Sequence, residues 1–112
     1  MHEMAIAEGI LDIALNYAAQ NDAKRIGCIS LLLGEMSGVE TEALNFCFES
    51  LVRGTIAEQA ELKLKRVPLM GRCRGCGQET HIKHYNFICQ NCGEALDIIS
   101  GRELQVEYLE VE

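Results

Sequence analysis

Cys73-Arg-Gly-Cys76-Gly and Cys89-Gln-Asn-Cys92-Gly are two copies of one pattern, separated by twelve residues. They restrict the fold of this chain more than any other feature. In each copy the closing glycine frees the backbone to curl beneath a metal, so four thiolates can meet one ion at about 2.3 Å in a tetrahedral site. Two disulfides would need an oxidising compartment. A redox dithiol usually rests on a single Cys-x-x-Cys near a βαβ unit. The doubled spacing favours zinc, Zn(2+), on Cys73, Cys76, Cys89 and Cys92. Four thiolates close the coordination sphere and leave no position for water or substrate. The zinc is therefore expected to be structural, and the function must lie elsewhere.

The chain has 112 residues, enough for one modest domain, and the segment between the outer cysteines is too short to hold a core of its own. The expected division is a main α+β domain over 1–70 plus 101–112, with a zinc module over 71–100. Ten basic against 17 acidic side chains give a net charge of −7, which opposes attraction to nucleic acid or anionic lipid. Around the knuckles Arg72, Arg74, Lys83 and Arg102 face Glu79, Glu94 and Asp97, so no basic stripe forms. The first residues lack the pattern of a signal peptide, and no apolar run is long enough to span a membrane, so a cytoplasmic location is expected. Cys28 and Cys47 lie in apolar runs and read as small buried hydrophobes.

Between Ala5 and Gln20, Ala7, Leu11, Ala14 and Ala18 form a helical stripe, with Ile6, Ile10 and Tyr17 beside it. Arg25 to Leu33 has the length and β-branched content of a strand covered on both faces. After a turn between Gly34 and Gly38, Leu44, Cys47, Phe48, Leu51 and Val52 repeat at helical spacing, and Gly54 should end that helix. Glu61 to Lys65 alternates apolar and charged residues up to Pro68, and Leu104, Val106 and Tyr108 fall on one face of a final strand. The expected fold is α+β, two helices packed on a small mixed sheet of about three strands, with the zinc module inserted before the last strand. Walker A, G-x-S-x-G and H-E-x-x-H motifs are absent, and no enzymatic activity is expected.

A second metal site is open to the N-terminus. A bulky second residue normally preserves the initiator methionine. The amine of Met1, the amide nitrogen of His2 and a ring nitrogen of His2 can then close consecutive small chelate rings, with a further ligand from the Glu3 region. Such a planar N,O set favours Ni(II) or Cu(II) over zinc. The plainer readings are an exposed His2, a Glu3 that complements the helix dipole, and a solvated Glu40 near a helix start. His81 and His84, between the knuckles, read as exposed loop residues once four cysteines suffice for zinc.

Met1-His2-Glu3, Gly34-Glu-Met-Ser-Gly-Val-Glu40, Phe46-Cys-Phe-Glu49, Gly54-Thr55 and both knuckles together resemble the HypA/HybF hydrogenase-maturation nickel chaperones, over essentially the whole chain. The resemblance implies a small cytosolic protein that binds Ni(2+), as transported cargo, at its N-terminus. It also implies a structural zinc in a separate lobe and help in inserting nickel into the large-subunit precursor of [NiFe]-hydrogenase. His2 would be the principal nickel ligand, with the Met1 amine and Glu3 in the same site and Glu40 nearby. Partners would include a GTPase of the same maturation pathway, and some members also serve urease. The alternative, a zinc-ribbon module binding nucleic acid or protein, would explain the knuckles but lacks the basic or aromatic surface expected around them. A redox protein would leave the N-terminal constellation unexplained.

Overall fold

The computed structural model describes residues 2–112. Its elements run α1 (Glu3–Gln20), β1 (Ile26–Gly34), a 3₁₀ turn (Glu35–Ser37), α2 (Thr41–Leu51), β2 (Glu61–Val67), β3 (Met70–Cys73), β4 (Glu79–His81), β5 (Leu96–Ser100) and β6 (Leu104–Val111). The chain divides into two compact units, one of Met1–Leu32, Gly38–Lys65 and Gln105–Glu112, the other of Leu33–Ser37 and Arg66–Leu104. Among the described residues no helix is long and apolar enough to cross a membrane.

In the first unit the helical stripe of α1 buries Ala7, Ile10, Leu11, Ala14 and Ala18 against Leu44, Phe48 and Val52 of α2 and its C-cap. The alanines leave no exposed surface, so α2 lies close over them. Both helices cover a sheet of order β2-β1-β6. β1 and β6 are antiparallel, with the Glu112 N–H donating to Arg25 at 2.8 Å and the Gly34 N–H to Glu103 at 2.7 Å. α2 lies in the connection that carries the chain from β1 to β2.

The helices cover one face of β1, over Ile29 and Leu31. The other face is closed by polar neighbours. The Ser30 hydroxyl donates to Glu107 at 3.1 Å, and Cys28, pushed upward in pKa chiefly by burial, lies beside Lys63 and Tyr108. This accounts for the uninterrupted apolar reading of β1 in a small two-layer fold.

Two sequence expectations shift. α2 ends at Leu51 with Val52 as C-cap, ahead of Gly54, which takes its positive φ of 78° in the following turn. On β6 the apolar face is Val106, Leu109 and Val111, whereas Tyr108 is 41% exposed. The alternation slips at Glu107–Tyr108, because both residues engage the face away from the helices, Glu107 with Ser30 and Tyr108 with Cys28. A period-two count cannot see a slip of that kind.

Leu44 has no exposed surface at the junction of α1, α2 and the sheet. Leu44→Ala should cost about 2–5 kcal/mol, a large share of the ~5–15 kcal/mol of a typical domain. Chemical denaturation followed by helical circular dichroism measures this, and a loss below about 1 kcal/mol would contradict the packing described.

The second unit holds a further sheet of order β4-β3-β5, adding three strands that the apolar pattern did not reveal. β3 is central and antiparallel to both neighbours, pairing Met70 with His81 and Cys73 with Leu96. The buried cluster is small, consisting of Leu69, Cys73, Ile82, Cys89 and Leu96, with Met36, Phe87 and Ile98 partly buried around it.

Candidate metal centres

The knuckles are built alike. Cys73 ends β3, and its N–H donates to Gln78 at 2.9 Å while the Gly77 N–H returns to the Cys73 carbonyl at 3.0 Å. In the second copy the Cys89 N–H donates to Glu94 at 2.8 Å and the Gly93 N–H to Cys89 at 2.9 Å. Both closures need a left-handed residue after the second cysteine, and Gly77 and Gly93 supply it at φ 76° and 79°. The curl aims backbone N–H groups at sulfur, Gly75 and Cys76 at Cys73 Sγ (both 3.3 Å) and Asn91 at Cys89 Sγ (3.4 Å).

All four sulfurs lie within 4.8 Å of one another. Cys76 and Cys89 are 3.8 Å apart and Cys73 and Cys92 3.1 Å. A tetrahedral zinc thiolate at 2.3 Å bond length separates sulfurs by about 3.8 Å, so the donor set and its spacing fit that ion. The first cysteine of each knuckle is buried and the second exposed. The Cys76 N–H, then the Cys92 thiol, lower the Cys73 pKa to about 6. At Cys92 the Glu94 backbone N–H pulls the pKa down, but the Cys73 sulfur, burial and the other two sulfurs outweigh it and push the value up to about 12. The cluster thus resists complete ionisation without a cation, and loading a dication must release protons.

The basic side chains flanking the cluster are largely engaged. Arg72 pairs with Glu79 at 2.9 Å and Arg74 with Asp97 at 2.8 Å. This halves the cationic groups left for a nucleic-acid backbone.

His81 differs from the loop residue expected. It is exposed but lies on β4, its Nε2 2.9 Å from Glu35 Oε1, and the same carboxylate oxygen accepts the Leu69 N–H at 2.8 Å. His84 is exposed in a turn. Neither histidine belongs to the cysteine cluster. Glu35 escaped the sequence reading because its partners are 34 and 46 residues away.

The Leu69 N–H, with His81 as second influence, holds the Glu35 carboxyl below its ordinary range. A depressed folded value stabilises above the unfolded glutamate pKa of about 4.3, and that contribution is lost as pH falls through the folded value. Glu35→Gln should therefore be less stable than the parent at neutral pH, with the difference in melting temperature closing in acid. Zinc loss in acid affects both proteins alike, so the difference is the readout. A gap constant from pH 7 to 3 would contradict this role.

At the other end of the chain, Met1 lies outside the described residues. His2 is the exposed N-cap of α1, with no side-chain capping bond, and its carbonyl accepts the Ile6 N–H at 3.1 Å. Glu3 opens α1, and its Oε2 accepts the Glu40 N–H at 3.0 Å. Glu40 in turn caps α2, accepting the Glu42 N–H at 3.3 Å. The Glu40 N–H, followed by that of Glu3 itself, lowers the Glu3 pKa. The fold thus joins Glu3 to Glu40 across 37 residues, beside the start of the chain. Among the described residues, only the four cysteines converge as a cluster of three or more side-chain ligands.

A closed thiolate cluster in one unit, and an exposed histidine beside paired helix starts in the other, define a small metal-handling protein. Residues 1–111 match the family model described as HypA, hydrogenase/urease nickel incorporation, metallochaperone, and the chain belongs to that family. Among curated relatives, "Hydrogenase maturation factor HypA" of Geobacter metallireducens is 39% identical over the full length of both chains. The protein of the same name from Prosthecochloris aestuarii is 41% identical, again over all of both chains. The solution structure of the Ni metallochaperone HypA from Helicobacter pylori shares the fold at TM-score 0.69 and 20% identity, covering 99% of this chain and 97% of that one. A second HypA solution structure gives TM-score 0.75, also at 20% identity, covering 100% and 97%.

Proposed function

We propose that this protein is a cytoplasmic nickel metallochaperone of [NiFe]-hydrogenase maturation. It carries Ni(II) on its N-terminus and assists its insertion into the hydrogenase large-subunit precursor, together with a GTPase of the same pathway. The whole-chain match to the nickel-incorporation family carries this reading. His2 is the principal ligand with the Met1 amine. Glu3 and Glu40 complete or orient the site, and their hydrogen bond supports a shared role. Cys73, Cys76, Cys89 and Cys92 hold the structural zinc, which confers shape and takes no part in nickel exchange. The first unit forms the nickel-binding part, and the zinc module, expected over 71–100, extends through the second unit to Leu33–Ser37 and Arg66–Leu104. The protein performs no catalysis of its own.

The test is complementation in a hydrogenase-producing host deleted for its own copy of this protein. The native chain should restore nickel content to the hydrogenase large subunit, and His2→Ala should not, at equal protein level. Full restoration by His2→Ala would overturn the assignment of the nickel site.

A further inference from the structure

A cleft of about 380 Å³ borders the turn from Lys83 to Asn86 in the second unit. The turn is closed by the Asn86 N–H donating to the Lys83 carbonyl at 3.0 Å, and its two central residues, His84 and Tyr85, have φ of 54° and 55°. Glycine, asparagine or aspartate occupy two successive left-handed positions with least strain. An imidazole and a phenol stand there instead, and Tyr85 is 66% exposed. Strain maintained at an exposed tip points to work done by the side chains it presents.

The cleft walls carry His81, Lys83 and His84 with the amides of Asn86 and Gln90, and no carboxylate lines them. Three carboxylates elsewhere in the unit are ion-paired, Glu35 with His81, Glu79 with Arg72 and Asp97 with Arg74. Among the described residues the side chains of Lys83 and His84 make no ion pair or hydrogen bond. On a chain of net charge −7 this amide-rich hollow presents one ammonium group, that of Lys83, beside the His84 ring. An ammonium group without a carboxylate opposes a divalent cation and favours an anion. Ile88, 48% exposed, adds an apolar wall, and the cleft volume lies within the range of ligand sites. His81, on the cleft wall, belongs to β4, the edge strand of its sheet, along which an extended peptide can lie.

We propose that this cleft docks an extended acidic segment of a partner protein, a carboxylate meeting Lys83 and His84 while an adjacent apolar side chain covers Ile88. The cleft shares Gln90 with the Cys89–Cys92 knuckle but includes none of the four cysteines, and the proposal does not depend on the nickel reading. The test is amide chemical-shift titration of the zinc-loaded full chain with three probes: a blocked Gly-Glu-Leu-Glu-Gly peptide, its Gly-Lys-Leu-Lys-Gly counterpart and inorganic phosphate. The acidic peptide should give saturable shifts at Lys83, His84, Asn86 and Ile88. Lys83→Glu should weaken its binding roughly tenfold or more while zinc content and distant amides stay unchanged. Absence of saturable shifts, equal binding of the lysine peptide, the same shifts with phosphate alone, or undiminished binding to a folded Lys83→Glu protein would each overturn the proposal.

Discussion

Cys76→Ser and Cys92→Ser proteins are expected to lose their zinc and to open the segment from Arg66 to Leu104 to proteolysis, while the α1–α2 core stays helical. Only Leu69, Ile82 and Leu96 join two of the cysteines in the buried cluster of that unit. Complete burial of three aliphatic side chains supplies about 1.5–3 kcal/mol each. Assemblies below ~40 residues usually need a metal or disulfide to fold. Structural zinc supplies apparent binding free energies of about 10–16 kcal/mol in finger-sized peptides, and its removal takes the folding free energy with it. Both substituted cysteines are exposed, so lost burial is a minor part of the effect. Time courses of proteolysis with and without a chelator make the measurement. Unchanged protection of this segment after zinc removal would refute a structural role for the metal. Helicity should survive because α1 and α2 bury their stripes against each other and the β2-β1-β6 sheet.

The convergence of the four cysteines was legible because a Cys-x-x-Cys-Gly knuckle is a local device, its spacing, glycine and hydrogen bonds all lying within six residues. Both helices and the central strand were legible through periodicity, which reports burial along one element. Strands β3, β4 and β5 were not, because four, three and five residues are too few to establish a period. Tyr108 was assigned to the wrong face because the slip at Glu107 depends on Ser30 and Cys28, far away in the chain. Glu35 was missed for the same reason, since its role exists only once Leu69 and His81 are brought beside it. At the N-terminus the chelate proposed for His2 is an argument from sequence alone, whereas the bond joining Glu3 to Glu40 is a product of the fold.

The largest functional effect is expected at His2. Its side chain is exposed and makes no capping bond, so His2→Ala should leave the zinc content and helicity of the protein unchanged. Nickel affinity should nevertheless fall by more than about tenfold, the equivalent of about 1.4 kcal/mol. Losing the imidazole removes a ring from the chelate, and a planar nitrogen-rich set is what selects Ni(II). Acidification should weaken nickel binding to the native protein, because protons compete for the same nitrogens. A folded His2→Ala protein with an unchanged nickel isotherm would move the site away from the terminus.

A chelate that includes the terminal amine differs from one made of side chains alone in its response to residues placed ahead of Met1. The decisive measurement is a nickel titration of the untagged chain beside one carrying a Gly-Ser extension at its N-terminus, with zinc content and circular dichroism recorded on the same samples. The extension converts the Met1 amine into an ordinary amide while every native side chain remains. Nickel affinity should fall more than about tenfold and the nickel absorption spectrum should change. The same extension after Glu112 should alter neither. Equal affinity and an identical spectrum in the native and N-terminally extended proteins would contradict nickel binding through the chain terminus.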